Sequence, residues 1–579
     1  MIETVKIKVL YPLLMLLSWT FSIGFAQVND LMIRDISVVN VLDGGVRKAD
    51  VFIEGGIIRD ISDHLENDTG VKELDGTSKW LIPGLIDAHI HLFQSGGIYT
   101  RPDVINLTAY RSYEQEISWL RENAGDLLKR YLRCGITSVI DMGGPFYNFN
   151  IRDTFHNTIG YPNIFLTGPL ISTYQPEEFQ IEDSPIIKVH SADEARSLVR
   201  KEIPYHPDFI KIWYITLPTQ TAESTYDIVA ATIEESHHHG LKVAVHATEL
   251  NTAKLAVKAG ADILVHSIDD PVDEDFIALI RENNVTYIPT LVVSGNYNKA
   301  FVQNTSFSDE DFNFANPVTL GSLFDSRHFP PGNIFEQLKP YLPKILEEGM
   351  IQDSIKLENL KLLREEGISI STGTDAGNIG TLHGSSFFEE ISAMQKSGMS
   401  NLELLTASTI NAAKAIGKEK ELGSIDIGKS ADLIVLSSNP LEDINAIKDL
   451  ELVIKDGYML PVDSIIMETP ADLVQKQVNG YNARNMEAFL APYAEDVELY
   501  AFPNTLTDKG KANIRPGYED WFAKIPDLHV EIVDRIVSGN TVIDQERITG
   551  IPGVDYLEAV AIYKIENNKI VKVYFVEKE

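Results

Sequence analysis

His89 and His91 stand two apart in LIPGLIDAHIHL. In an extended strand such residues face the same side, so both imidazoles can reach one metal ion while Ile90 packs the other way. Four more ionisable residues fall toward the ends of other strand-like segments: Lys211 in DFIKIWYI, His246 in VAVHATE, His266 in LVHSIDD and Asp375 in STGTDAG. Each alone has an ordinary explanation. A strand histidine can be satisfied inside a core, His266 can lie at a wet strand end, and Asp375 can cap a following helix. Ligand-type residues in register on five strands point instead to a shared metal centre.

Lys211 is the most informative of them. A cation in an apolar strand is costly to desolvate unless it is paired or neutralised. An ammonium cannot bind a metal, but a neutral lysine can add CO₂ and become a carbamate, a carboxylate able to bridge two divalent ions. The only cysteine is Cys134, which excludes an intrachain disulfide and any thiolate cluster made by this chain alone. Metal ligands are therefore nitrogen and oxygen. Cys134 itself, in LLKRYLRCGITSVIDMG, is expected to be a small core residue. The triplet His237–His239 sits where a helix ends, and a surface helix terminus is the expectation there rather than a second metal site.

Eight apolar, strand-like segments separated by helical stretches run from Trp80: LIPGLIDAHIHL, GITSVIDMGG, NIFLTGPLI, DFIKIWYI, LKVAVHATE, ADILVHSID, VTYIPTLVV and ISISTGTDAG. Near-continuous apolar strands alternating with helices imply a parallel sheet covered by helices, and eight units suggest closure into a barrel. The expected fold class is α/β: a (β/α)₈ TIM barrel over 80–419, flanked by a small β-sandwich built from both ends of the barrel segment (28–79 and 420–462). A C-terminal α+β cone-shaped domain follows over 468–579. The long stretch from Ser294 to Glu366, between the last two strands, is expected to be either a lid over the site or a decorative insertion.

The combination of PGLIDAHIH, DFIKIW, TGTDAG, LTASTINAAKAIG and GSIDIGKSADLIVL resembles the amidohydrolase superfamily, in particular its imidazolonepropionase-like and Xaa-Pro dipeptidase-like members. The resemblance implies two divalent metal ions, with Zn²⁺ the default for a nitrogen-rich site. It implies His89, His91 and Asp375 on one ion, His246 and His266 on the other, and carboxylated Lys211 between them. It further implies hydrolysis of an amide-type C–N bond by a metal-bound hydroxide, with Asp375 as the catalytic proton carrier. Tyr214 and His383 are candidate substrate contacts on the same ground. An ordinary, salt-bridged Lys211 would make a mononuclear deaminase-type hydrolase the alternative. The C-terminal segment resembles the SnoaL-like group of the nuclear-transport-factor-2-like fold; Tyr481, Asp496 and His529 are its candidate polar groups, with no evident dyad. A non-catalytic extracytoplasmic protein binding small molecules in that C-terminal pocket is the second functional alternative.

Lys and Arg number 50 against 84 Asp and Glu, giving a net charge of −34, which repels nucleic-acid backbones and anionic lipid. The expected partner is a small-molecule substrate, with no nucleic acid. A homo-oligomer is left open by the sequence. Lys6 and Lys8, the apolar run VLYPLLMLLSWTFSIGFA, and Gly24 and Ala26 before Gln27 have the character of a signal peptide over 1–27. Export to the periplasm or medium is expected, with no integral membrane domain after cleavage; an uncleaved N-terminal membrane anchor is the alternative.

Overall fold

The computed structural model describes residues 30–67, 70–304 and 306–577. The expected signal segment 1–27 lies outside these residues. Alternating apolar and polar residues form β1 (Leu31–Val39), β2 (Val46–Glu54), β3 (Ile57–Ser62), β4 (Lys72–Asp75) and β5 (Trp80–Pro83). The chain then passes through Gly84 into β6 (Leu85–Ile90). The single strand expected through LIPGLIDAHIHL is thus two strands in different sheets, β5 in the small sheet and β6 in the barrel.

Gly84 is required at that junction. A Cβ there would lie 2.0 Å from Thr137 Oγ1 and 2.4 Å from its Cγ2, and a β-branched side chain has little freedom to move aside. Gly84→Ala is expected to destabilise the protein by about 3 kcal/mol, the upper range of overpacking costs. Chemical denaturation checks this, and Thr137→Ala should recover most of the loss in the double variant; an unchanged midpoint in Gly84→Ala would refute it.

The barrel continues with β7 (Ile136–Asp141), β8 (Asn163–Leu166), β9 (Leu170–Ser172), β10 (Ile186–Lys188), β11 (Phe209–Trp213), β12 (Lys242–His246), β13 (Ile263–Val265) and β14 (Thr286–Ile288). Parallel ladders join β6–β7–β8 and β9–β11–β12–β13–β14, with β10 on the edge beside β9. Scattered hydrogen bonds, not ladders, bridge the two gaps. Asp208 N–H donates to Leu166 O at 2.9 Å, linking β8 to the start of β11. On the other side the eighth expected strand, ISISTGT, forms no full ladder. It is stitched by isolated contacts: Ser371 N–H to Tyr287 O at 2.9 Å, Ala88 N–H to Thr372 O at 2.9 Å and Asp375 N–H to His89 O at 2.7 Å. Along β11 and β12, Ile210, Ile212, Val243 and Val245 join the core shared with the helices, so Lys211, Ala244 and His246 alternate to the opposite, luminal side.

Beyond the barrel, β15 (Leu433–Leu436), β16 (Leu450–Lys455) and β17 (Tyr458–Pro461) complete an eight-stranded sheet in the order β17-β16-β15-β5-β1-β2-β3, with β4 beside β1. Both ends of the barrel segment contribute, as expected. The expected sandwich is instead this one sheet bent back on itself, with Ile57 bridging to Ser430, around a core including Ile33, Val51, Leu433 and Val435. The C-terminal domain is a six-stranded sheet of β18 (Tyr493–Ala501), β19 (Thr505–Lys509), β20 (His529–Ser538), β21 (Thr541–Thr549), β22 (Leu557–Glu566) and β23 (Lys569–Glu577). The helices Pro470–Ala483 and Lys511–Lys524 share its apolar core. Among the described residues no helix is long and apolar enough to cross a membrane.

The long insertion is mostly helical, including Val292–Phe301, Pro317–Ser322 and Leu342–Glu365. It packs between the barrel and the C-terminal domain. Asn479 Nδ2 donates to Pro317 O at 2.8 Å, and His328 Nδ1 lies 3.1 Å from His529 Nε2. Buried Arg130, on the helix Tyr113–Arg133, clasps the domain linker by pairing with Glu468 at 3.2 Å as well as with Asp126 at 3.0 Å.

Glu202, at the end of the helix Ala192–Glu202, is fully buried, with its carboxyl group beside Gly168 and Thr167. Burial pushes its pKa up to about 8. Between the ordinary glutamate value and that figure the folded protein holds a proton that the unfolded chain has released, so stability falls as pH rises through this window. Glu202→Gln is expected to flatten the decline in thermal midpoint between about pH 5 and pH 8. A decline as steep in the variant as in the parent would remove Glu202 as its source.

Candidate metal centre

The strand ends bring His89, His91, Lys211, His246, His266 and Asp375 together at the barrel mouth. His89 Nε2 and His91 Nε2 each lie 3.2 Å from Asp375 Oδ1 and 3.4 Å from one another. His266 Nδ1 lies 3.8 Å from Asp375 Oδ2, and the His246 and His266 ring centres are 4.3 Å apart. His89, His266 and Asp375 each offer a ligand atom within 4.8 Å of the others. This close set draws on both groups that the resemblance assigns to separate ions.

Backbone strain accompanies the convergence. Asp375 has φ +60°, His266 φ +77° and Thr290 φ +44°. Left-handed backbone at non-glycine residues costs about 1–3 kcal/mol each and persists where the surroundings over-determine it. At His266 the turn breaks the strand alternation, and Thr290 Oγ1, 2.9 Å from His266 Nδ1, fixes the ring. Gly373 lets the eighth segment approach β6: a Cβ there would meet His89 Cβ at 2.8 Å and His89 N at 2.9 Å.

The donor set fits divalent metal. His91 Nδ1 is 2.9 Å from the carbonyl of Gly143. A carbonyl only accepts, so Nδ1 carries a proton there, and Nε2 is the ring atom turned toward Asp375 Oδ1 at 3.2 Å, the placement a metal-binding imidazole uses. Three buried atoms here have no hydrogen-bond partner: Lys211 Nζ, Asp375 Oδ1 and His89 Nδ1. Buried polar groups are rarely left so, and an unfilled ligand role accounts for the first two.

The electrostatics agree with ligand duty. Burial lowers Lys211 to about 7 against the pull of Asp375, so the neutral amine that carbamate formation needs is present near neutrality. Burial drives His89 down to about 3 and holds His246 and His266 well below the ordinary histidine value, leaving their lone pairs free. Burial works to raise Asp375, but the imidazoles of His89, His91 and His266 around it favour its charged form and hold it well below the usual carboxylate range. Behind them Asp87, raised by burial to about 7, accepts from Thr374 N–H at 3.1 Å and Thr374 Oγ1 at 2.7 Å, bracing the Asp375 turn.

Around this cluster is a cavity of about 370 Å³, within the range of small-molecule sites. His91, Lys211, His246, His266 and Asp375 line it. Tyr214 and His383 do not. The Tyr214 hydroxyl donates to Ala222 O at 2.6 Å within the core. His383 donates from Nε2 to Gln94 O at 2.7 Å and accepts from the Tyr131 hydroxyl at 2.7 Å, so both ring nitrogens are engaged. Their expected substrate contacts are corrected to structural roles.

The cavity instead exposes residues that the sequence did not single out: Arg101, Trp213, Tyr297, Lys356 and Asn378. Arg101 pairs with Asp103 at 2.7 Å and donates to Tyr297 Oη at 3.1 Å and to Asn378 Oδ1. Lys356 reaches Ser294 Oγ at 3.1 Å and Asp269 at 3.3 Å. Tyr297, Ser294 and Lys356 come from the insertion, which therefore borders the site. Elsewhere, Cys134 is buried, its thiol pushed up to about 12 by burial. His237 and His239 pair with Asp262 and Glu235 at the helix end. In the C-terminal domain Tyr481 is buried, Asp496 is exposed and His529 pairs with His328.

The amidohydrolase family profile matches residues 80–460, and a SnoaL-like domain profile matches residues 474–573. The imidazolonepropionase of Shouchella clausii is 22% identical over 75% of this chain and 89% of its own length. The 5-methylthioadenosine/S-adenosylhomocysteine deaminase of Caldicellulosiruptor saccharolyticus is 22% identical over 75% of this chain and 95% of its own length. Among solved structures, a Xaa-Pro dipeptidase with methionine bound in its active site superposes with a TM-score of 0.57 at 24% identity, over 75% of this chain and all of that one.

Proposed function

This chain belongs to the amidohydrolase family through residues 80–460, and from that premise we propose that it hydrolyses an amide-type C–N bond in a small molecule: a cyclic amide, a dipeptide or an N-acyl compound. The observation that carries this proposal is the unpartnered Lys211 amine facing the same cavity as His91, His246, His266 and Asp375. His89, His91, His246, His266 and Asp375, with Lys211 as its carbamate, would hold two divalent ions, Zn²⁺ by default. Bound divalent metal supplies Lewis acidity, which acidifies water and polarises a carbonyl. Asp375 takes the proton of the attacking water and returns it to the departing nitrogen. Arg101 and Lys356 give the cavity two cationic groups to orient the substrate, and the insertion supplies Ser294, Tyr297 and Lys356 to its wall. The apolar N-terminal segment supports action outside the cytoplasm.

Chelation followed by reconstitution tests the proposal. Metal analysis of the reconstituted full chain is expected to find about two ions per chain, and hydrolysis of a panel of dipeptides and N-acyl amino acids should vanish with chelator and return with metal. The compact trio of His89, His266 and Asp375 favours one other outcome worth separating: a single ion supporting deamination, the mononuclear alternative. One ion per chain, with His89→Asn retaining full activity, would defeat the binuclear assignment. Activity indifferent to chelator would defeat metal dependence.

A further inference from the structure

Beside the catalytic cavity lies a second one of about 630 Å³, and Phe93 lines both. The wall between them includes that side chain. It is made from three short segments that each face both ways: Phe179 and Ile186 line the catalytic cavity, while their chain neighbours Glu178 and Pro185 line the second, and Phe93 stands beside Leu92. Its centre is the Phe93–Phe179 ring pair, 6.4 Å between centres and 77° between planes, and Phe93 packs on the His91 ring at 5.4 Å. A phenyl ring has no polar anchor, so the Phe93–Phe179 contact is held by packing, while Gln175 Nε2 donating to Phe179 O at 3.0 Å and the pairing of β10 with β9 hold the backbone behind it.

The lining of the second cavity defines what it would accept. Tyr113, Ile117, Leu120, Tyr147 and Ile151 give it an apolar floor. Of its charged groups, Arg121 lies over the Tyr147 ring at 4.1 Å, and Asp183 accepts the N–H groups of Phe146 and Tyr147 at 2.9 and 3.1 Å. Glu114, Glu178 and Glu182, all exposed, outnumber Arg121 and leave the rim acidic. We propose that this second cavity is a substrate subsite, entered past Phe93, which takes a bulky apolar arm of the amide, neutral or cationic, and disfavours an anionic one. This rests on the amide-hydrolase function proposed for the catalytic cavity.

The test uses the metal-loaded full chain and two amide series, with the variable arm on the acyl side in one and on the nitrogen side in the other. The arms are methyl, 3-phenylpropyl and a carboxylate-terminated chain. In at least one series the phenylpropyl amide should exceed the methyl amide in kcat/KM by about tenfold or more, the scale that pocket burial of a few methylenes provides. Ile117→Trp, which fills the floor, should reduce that ratio at least tenfold, and Phe93→Ala should change it. Glu178→Lys with Glu182→Lys should lift discrimination against the carboxylate arm. Ratios unchanged by Ile117→Trp and Phe93→Ala in both series would overturn the subsite and leave the hydrolase standing. If no amide is cleaved, calorimetric titration of N-benzylacetamide decides: binding lost in Ile117→Trp keeps the subsite and retires the hydrolase, whereas no binding to the parent chain retires the subsite.

Discussion

Asp375→Asn is expected to lower kcat by about 10³-fold or more while leaving the fold intact, since a positioned proton carrier contributes roughly 10²–10⁴-fold. Asparagine matches aspartate in shape, tolerates the left-handed backbone at φ +60°, and preserves the backbone bond to His89 O. The charge that His89 and His91 face at 3.2 Å disappears. The amide then cannot accept a proton from water, and it weakens the hold on a cation. Turnover at saturating substrate, with far-ultraviolet circular dichroism as the fold control, measures this. A kcat within tenfold of the parent would exclude Asp375 as the proton carrier.

The second large effect belongs to Lys211. Lys211→Ala is expected to reduce bound metal below the parent content and to cut kcat/KM by about 10³-fold, as for the loss of a ligand-bearing group in a metal site. Because the lost group is expected to act as a carboxylate, formate or acetate added at high concentration should restore part of both. Lys211→Met sharpens the test. It fills a similar volume without a polar atom, so a lysine with only a packing role would be replaced at little cost. Full activity in Lys211→Met, or no recovery of Lys211→Ala with any small carboxylate, would contradict bridging by a carbamate.

The barrel, its flanking sheet and the six converging residues were legible because each depends on local pattern. Apolar runs mark buried parallel strands, and ligand-type side chains mark their ends. What escaped depends on directions and distances that no local pattern encodes. Tyr214 is an exception: its odd spacing of three from Lys211 already places it on the opposite face by alternation, and its hydroxyl turns away to Ala222 O. His383 looks available in a polar loop, but Tyr131 and Gln94 claim both its nitrogens from 252 and 289 residues away in sequence. Arg101, Tyr297 and Asn378 meet across separations of 196 and 277 residues. The one local hint was the pair Arg101 and Asp103 flanking Pro102 in the loop after the HxH strand, a charged couple in a segment that borders the mouth. The eighth strand shows the opposite limit. Its sequence reads as a strand, yet Gly373 and the Asp375 turn draw it so close to β6 that only isolated bridges form.

The packing of the insertion against the C-terminal domain also sets a timetable for synthesis. The segment carrying Pro317 and Phe324 shares a core with Ala483 and Ala488, and Asn479 reaches back across 162 residues to Pro317. At typical translation rates of about 5–20 residues per second, the partner surface arrives on the order of 10–30 s after the insertion emerges. Through that interval Leu320, Leu323 and Phe324 have no C-terminal cover, although the barrel strands before them are already made. Moving the C-terminal domain elsewhere in the chain would change the length of that interval.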